Sequence, residues 1–312
     1  MPDPSVALDV PELVVRRCTP ADADAVRRLA ALDEERVNGR PSQLTEGDVT
    51  DWWQSVKLDA DSWLIAPDAS ASPWAVTWLD RQGEDLATWF PLPDVDHRDL
   101  LPRLADLAEA RAAELGLARL HCYALVPDPL VEGLLRERGY ADVRHFFDMA
   151  IALESRPEVG ALPDGLAVGG VEEPDARAFH AAITESFTDH WEPHPLPFEE
   201  WWRLRVDDPA VELPWWSVVR TDSGEVAAAL RAAPNRNGGV YVATLGVRRP
   251  WRGLGLGKAL LRRVFAQAWD AGFRRVTLGV DAASPTGATV LYRGVGMSVE
   301  SESAVFEKVL QG

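Results

Sequence analysis

The chain repeats itself. TDWWQSV at 50–56 returns as EEWWRLR at 199–205, an offset of 149 residues. A longer pair is ELGLARLHCYALVPDPLVEGLLRERGY (114–140) and DAGFRRVTLGVDAASPTGATVLYRGVGM (270–297). Both run from a helix end with glycine (Gly116, Gly272) through a strand, a proline-marked turn and a short helix to a second glycine (Gly139, Gly296). A period near 155 is too long for a solenoid and is that of a duplicated domain. At 312 residues there is room for two domains of about 150 each. The Pro/Gly-rich ESRPEVGALPDG (154–165) lies between strand-like FFDMAIAL and LAVGGV, which divides the chain into 1–157 and 158–312.

Within each copy the order reads strand, one or two helices, several strands, long helix, strand, short helix, strand. In the second copy WWSVVRT and GEVAAALRAAP form a hairpin across TDSGE, and GGVYVATLGV is a further strand. GLGKALLRRVFAQAWDAG is a helix stopped by Gly272, with Leu260, Leu261, Val264, Phe265 and Ala268 on one face. SPTGATVLYRGVG reads as a short helix with Ser284 as N-cap and Pro285 in the first turn. The class is α/β (α+β), a mixed sheet with helices on both faces.

The net charge of −17 argues against nucleic acid or an anionic membrane as partner. No apolar run approaches the ~20 residues of a membrane span. The start, MPDPSVALDVPELVV, has neither a basic n-region nor an apolar h-region. Two distant cysteines, Cys18 and Cys122, make no disulfide scaffold or zinc ribbon. The expectation is a cytoplasmic protein, monomer or homodimer. One segment runs against the overall charge: 248–275 holds eight basic residues and one acid, Asp270. A basic island in an acidic chain marks a local anion site.

That island opens with RRPWRGLGLGKALL. Arg252, Gly255 and Gly257 spell R-x-x-G-x-G between a strand and a helix start. Glycines let backbone N–H groups approach phosphate oxygens, and a helix N-terminus adds orphan donors and a favourable dipole. Arg252, with Lys258, neutralises the remaining charge. A dinucleotide loop fits less well, even with Asp281 available as a ribose acid. Five residues separate Val247 from the first glycine, and Leu260 stands where the third glycine of G-x-G-x-x-G belongs.

VRRPWRGLGLGKALL followed by VDAASPTGATVLYRGVGM resembles the GNAT superfamily of acyl-CoA-dependent N-acetyltransferases, in the tandem-domain branch that includes mycothiol synthases. The resemblance is specific over about 240–300 and extends to the first copy only as topology. It implies two tandem GNAT-like domains, each a mostly antiparallel twisted sheet flanked by helices. It implies acetyl-CoA as co-substrate. The pantetheine would lie along Leu245, Gly246 and Val247, and the pyrophosphate on Arg252, Gly253, Leu254, Gly255, Leu256, Gly257 and Lys258. Ser284 would be a further contact, although asparagine is common there, and Trp251 is a candidate to stack near the adenine. Tyr292 occupies the tyrosine position of x-x-L-Y-x-x-x-G, where a phenol can protonate the departing thiolate.

The first copy departs from this pattern. Alignment on the shared glycines puts Asp96, Asp99 and Leu101 opposite Arg252, Gly255 and Gly257, and Leu135 opposite Tyr292. An acid in place of the phosphate arginine repels coenzyme A, so 1–157 reads as a degenerate partner of a catalytic 158–312. The acceptor, a primary amine of a small molecule, is expected at TESFTDHWEPHPLPFEEWW (184–202), with Asp189, His190, Trp191, Glu192 and His194 as its contacts. No metal is expected, since no HExxH-like spacing exists. The strand YVATLGV offers only Thr244 as a polar group near the thioester, which leaves the general base unassigned. That gap keeps open an acyl-CoA-binding sensor or assembly module without turnover.

Overall fold

The computed structural model describes residues 13–172, 175–191, 195–205 and 212–310. The first half runs β1 (Val14–Arg16), α1 (Ala23–Asn38), α2 (Glu46–Trp52), α3 (Leu58–Asp61), β2 (Ser62–Ala66), β3 (Ala75–Arg81), β4 (Leu86–Trp89), β5 (Leu92–Pro93), α4 (Leu101–Glu114), β6 (Arg119–Val126), α5 (Pro129–Glu137) and β7 (Ala141–Ala152). The second runs β8 (Leu166–Gly170), α6 (Ala176–Phe187), α7 (Phe198–Arg205), β9 (Trp216–Thr221), β10 (Val226–Arg236), β11 (Gly239–Val247), α8 (Leu256–Asp270), β12 (Arg275–Asp281), α9 (Ala288–Arg293) and β13 (Ser298–Val309). The repeated glycines fall at equivalent turns. Gly116 and Gly272 follow α4 and α8, Gly139 and Gly296 precede β7 and β13, and all four have positive φ that side chains disfavour.

One continuous sheet holds both halves, in the order β1-β2-β3-β4-β6-β13-β7-β12-β11-β10-β9-β8, with β5 on β3. The centre of that order departs from a chain of two self-contained sheets. The last strand of the second half, β13, lies antiparallel to β6 of the first, and the last strand of the first half, β7, lies antiparallel to β12 of the second. Each half lends its final strand to the other. The cores follow the exchange: Met149 of β7 and Leu153 just after it pack in the second-half core, while Ala304 and Phe306 of β13 pack in the first. The Pro/Gly-rich segment therefore divides the chain but not the sheet.

Alternation along β12 assigns its two faces. Val276, Leu278 and Val280 join the core under α8 with Leu260, Val264 and Phe265, so Arg275, Thr277, Gly279 and Asp281 point to the other face. The α8 helix follows the sequence reading, with Gly272 one residue beyond its cap. The short helix does not. α9 begins at Ala288 after Gly287, whose φ of 70° is left-handed, and Ser284 instead closes a turn in which its carbonyl accepts from the Gly287 N–H at 3.3 Å. The Ser284 hydroxyl meets that of Thr286 at 3.0 Å.

Candidate active site

β11 and β12 run parallel and pair only at Val240↔Val276 and Tyr241↔Thr277. Beyond Tyr241 they part, while β11 stays bonded to β10 as far as Val247. A bulge at Ala243 accompanies the parting: Arg231 faces Thr244 and Ala232 faces Val242, which leaves Ala243 without an opposite number. The β11 edge over 242–247 is thus unpaired towards β12. Such an edge offers hydrogen bonds to an extended ligand that adds to the sheet. The first half parts too, but after a longer pairing, since β5 continues along β3 at Val76↔Leu92 and Ala75↔Pro93 without bonding to β6. Its parallel pair β4–β6 is bonded at four successive positions, from Leu86↔Arg119 to Trp89↔Cys122.

At the open end of the splay stands the glycine loop. Gly253 and Gly255 have φ of 80° and 79°, and a Cβ on either would meet nothing within 4 Å, so their backbone faces open space. Gly255 caps α8, and its carbonyl accepts from the Ala259 N–H at 3.0 Å. Helix geometry leaves the amides of Leu256, Gly257 and Lys258 without an intrahelical acceptor. Gly257 is needed for close packing: a Cβ there would stand 3.0 Å from Leu291 Cδ2, which is how α9 comes to lie against the start of α8. Gly246 is tighter still, since its Cβ would be 2.8 Å from Ser186 Cβ on α6. The loop and strand are therefore clasped between α6 on one face and α8 with α9 on the other.

Tyr292, on α9, shares a core with Leu245, Val247, Leu256 and Leu260 and is 8% exposed. Its hydroxyl has no hydrogen-bond partner among the described residues, and burial pushes its pKa up to about 12. It stays a proton donor at neutral pH.

The arginines of the loop are already engaged. Arg248 Nε donates to Glu185 at 2.5 Å and its NH1 to Glu225 at 2.7 Å. Arg249 donates to Asp189 at 2.6 Å. Arg252 reaches the Val247 carbonyl at 3.1 Å and Asp189 at 3.4 Å. Asp189, expected to meet an amine, is thus a counter-ion of the loop arginines, which hold its carboxyl below the ordinary range. Trp251 carries the Arg248 guanidinium 5.2 Å above its ring. His190 stacks on Phe187 at 4.1 Å, and burial pushes its pKa down, so the neutral imidazole is favoured. Trp191 stacks on His121 of the first half at 5.4 Å and abuts Phe146 of β7 at 6.3 Å. Glu192 and His194 lie outside the described residues. The 184–191 segment therefore joins the glycine loop to the first half instead of standing free as an amine pocket.

A cavity of about 440 Å³ lies between the halves on the face opposite α8. Tyr241 and Thr277, the last paired residues before β11 and β12 part, both line it. Its far wall comes from the first half. Trp52 stacks on Trp78 at 6.2 Å, Trp78 on Phe90 at 4.8 Å, and Phe90 leans on Tyr123 at 5.9 Å. Glu34 of α1 and Asp148 of β7 also face it. Motif and spacing do not point to these residues, although one signal is present: Asp148 is an acid inside the apolar strand HFFDMAIAL.

A model of the Acetyltransferase (GNAT) family matches residues 176–297, the stretch that carries the splay, the loop and Tyr292. Residues 176–297 form a GNAT acetyltransferase domain. A GCN5-related N-acetyltransferase from Sphaerobacter thermophilus is 29% identical and superposes with a TM-score of 0.80 over 96% of both chains. A tandem GNAT protein from the clavulanic acid biosynthesis pathway, 17% identical, matches the fold with a TM-score of 0.70 over 95% of this chain and 98% of its own. Saccharomyces cerevisiae N-myristoyltransferase, solved with bound myristoyl-CoA and inhibitors, is 11% identical and matches at 0.61 over 95% and 80%. No curated protein matches in sequence. Full-length superposition on a tandem GNAT protein agrees with the two-copy architecture around this GNAT domain. Among the described residues no helix is long and apolar enough to cross a membrane, and no group of three or more His, Cys, Asp or Glu is placed to hold a metal.

Proposed function

We propose that the chain transfers the acetyl group of acetyl-CoA to a primary amine of a small molecule, by direct attack in a ternary complex. The catalytic unit is 158–312, and 1–157 is a degenerate copy that completes the sheet and walls the site. The observation that carries this reading is the coincidence at one place of three features: an unpaired strand edge, an open glycine loop at its end, and Tyr292 beside both. The edge at Leu245, Gly246 and Val247 suits the amide-bearing arm of coenzyme A. An amide of that edge is available to polarise the thioester carbonyl. The N–H groups of 253–258, with Arg252 and Lys258, suit its pyrophosphate. Ser284, turned towards Thr286, is the least supported contact.

Tyr292 reaches the splay from the α9 face, while the cavity meets it from the opposite face at Tyr241 and Thr277. An amine entering from the cavity and a proton entering from Tyr292 would approach the thioester from two sides, as nucleophile and general acid must. The first half lacks the loop and the tyrosine of this arrangement: Asp96 and Asp99 stand in its loop, and Leu135 is fully buried at the tyrosine position. Both cysteines are free and buried, which suits a reducing compartment, and we place the enzyme in the cytoplasm.

The test is release of free thiol from acetyl-CoA with a panel of small amines. Tyr292→Phe keeps the packed ring and deletes the proton. Its turnover number is expected to fall roughly 10²–10³-fold with acetyl-CoA affinity retained. Wild-type turnover in that variant, measured where chemistry limits the rate, would remove Tyr292 from the reaction. Acetyl-CoA binding with no thiol release on any amine would instead favour a sensor.

A further inference from the structure

Seven acids and only two cations, Arg40 and Arg275, line the cavity between the halves. Several of the acids are compensated within the protein. Glu300 pairs with Arg275 at 2.5 Å and with Arg40 at 2.8 Å, and Asp51 pairs with Arg236 at 2.6 Å. Asp33 pairs with Arg36 at 2.6 Å, and Asp48 accepts from the Asn237 amide at 3.1 Å. Glu34 and Asp148 differ. Glu34 accepts from the Ser42 hydroxyl at 2.6 Å and Asp148 from the Ser301 hydroxyl at 2.9 Å, and neither has an ion-pair partner among the described residues. A half-buried carboxylate held by a hydroxyl and no ion pair is costly, so two of them together suit a retained proton or a cationic guest. A second observation points to a guest. Trp52, Trp78 and Phe90 stack one on the next along the same cavity, with Tyr123 beside them, and their ring faces attract a cation.

We propose that the acceptor is a ring-bearing amine that docks in this cavity as its ammonium, between Glu34 and Asp148, with its ring against Trp52, Trp78, Phe90 and Tyr123. The proposal rests on the transfer reading above and names its substrate class. It gives the first half a role of its own, because the specificity site is built largely from the copy that has lost the phosphate loop. A volume of about 440 Å³ suits one small ring compound, and aromatic walls favour both a ring and a cation.

Deprotonation follows from the same pair. Asp148 pairs in register with Gly279, where a Cβ would stand 3.3 Å from the Tyr241 hydroxyl and 3.7 Å from Asp148 Oδ1, so its carboxyl lies by the root of the splay. It accepts one proton from the ammonium. The freed amine forms the C–N bond at the thioester carbon, the C–S bond breaks, and Tyr292 protonates the leaving sulfur. The second nitrogen proton restores Tyr292, and the proton on Asp148 leaves to solvent. Burial pushes both carboxyls up, Glu34 to about 7. Asp148 and Asp48 add to the rise at Glu34, Glu300 adds to that at Asp148, and Arg40 opposes both. Glu34 therefore holds a proton more readily than a free glutamate does, and the ammonium must displace it.

The probe pair is 2-phenylethylamine and its neutral counterpart 2-phenylethanol, titrated calorimetrically into the full chain near pH 7 in two buffers of different ionisation enthalpy. The amine is expected to bind with proton release and the alcohol at least about tenfold more weakly. Glu34→Gln should abolish the proton release and weaken the amine about tenfold. Asp148→Asn should lower kcat/KM for the amine roughly 10²-fold with acetyl-CoA affinity unchanged, and should shift the pH–rate profile. Equal binding of amine and alcohol, no binding of the amine, or amine affinity indifferent to both substitutions would overturn the proposal. Charge-dependent amine binding with no thiol release in any variant would uphold the ammonium site and overturn the transfer reading beneath it.

Discussion

A single carboxyl shows how burial and pH are linked in this chain. Glu34 has its pKa pushed from an ordinary 4.5 to about 7 by burial. Between those values the folded chain holds a proton that the unfolded chain has lost, so this group's contribution to stability is present below 4.5 and is lost as pH rises through 7. Glu34→Gln carries no such charge. Its melting temperature, set against that of the wild type, should be similar at pH 4.5 and should gain as pH rises past 7. A constant difference across that window would mean that the carboxyl is not desolvated. Gly246 makes a steric case of the same scale. Ser186 Cβ and Ile183 Cδ1 crowd the space where its Cβ would be, at 2.8 and 3.1 Å; the Ile183 side chain can turn away, but the Ser186 Cβ yields only if the α6 backbone shifts. Gly246→Ala should cost about 1–3 kcal/mol in urea unfolding, and a loss near zero would show that α6 is loosely held. Residues of these two kinds are unequally legible in sequence. Tyr292 and the loop glycines sit in a local motif, whereas Glu34 matters only through its distance from Asp148, 114 positions further along the chain.

Among elements, both parallel pairs part, β11–β12 after two bonded positions and β4–β6 after four, and it is the loop that follows which distinguishes the halves. The sequence indicates it through chemistry, by Asp96 and Asp99 where the second copy has Arg252 and Gly255. It does not show the geometry, because parallel strands that pair and strands that part have the same composition. The α9 start is obscured for a related reason. Ser284-Pro285 is a sound helix opening by local preference, yet Gly287 takes a left-handed φ and restarts the helix at Ala288. The 184–202 segment reads as an acceptor loop because its acids and aromatics suit a cation. Arg249 and Arg252 are the cations that claim Asp189. That clasp has a consequence for ligand binding. In the proposed function coenzyme A would compete with Asp189 for the two arginines, so Asp189→Asn should tighten acetyl-CoA binding and steepen its salt dependence. Weaker binding in a fluorescence titration would place Asp189 on the ligand itself.

For the whole molecule, strand exchange replaces two independent domains by one sheet. The duplication is legible as a repeat in sequence. The exchange is not, since β7 and β13 carry the same alternation whichever neighbour they pair with. Met149 in the second core and Phe306 in the first tie the halves' stabilities together. Unfolding should be a single transition by both tryptophan fluorescence and circular dichroism. The isolated 158–312 segment should be insoluble, because loss of β7 bares the edges of β12 and β13. Two separated transitions, or a soluble isolated half, would contradict the interlocked sheet. In the proposed function, the same interlocking would make a copy without a phosphate loop indispensable: it would supply a strand and a wall of the site while the other half held acetyl-CoA. That division of labour is tested most directly by calorimetric titration of acetyl-CoA into the wild type, Arg252→Glu and Asp96→Ala. One site per chain is predicted, weakened by about 1.5–3 kcal/mol in Arg252→Glu and unchanged in Asp96→Ala. Two sites per chain, or equal losses in the two variants, would contradict it.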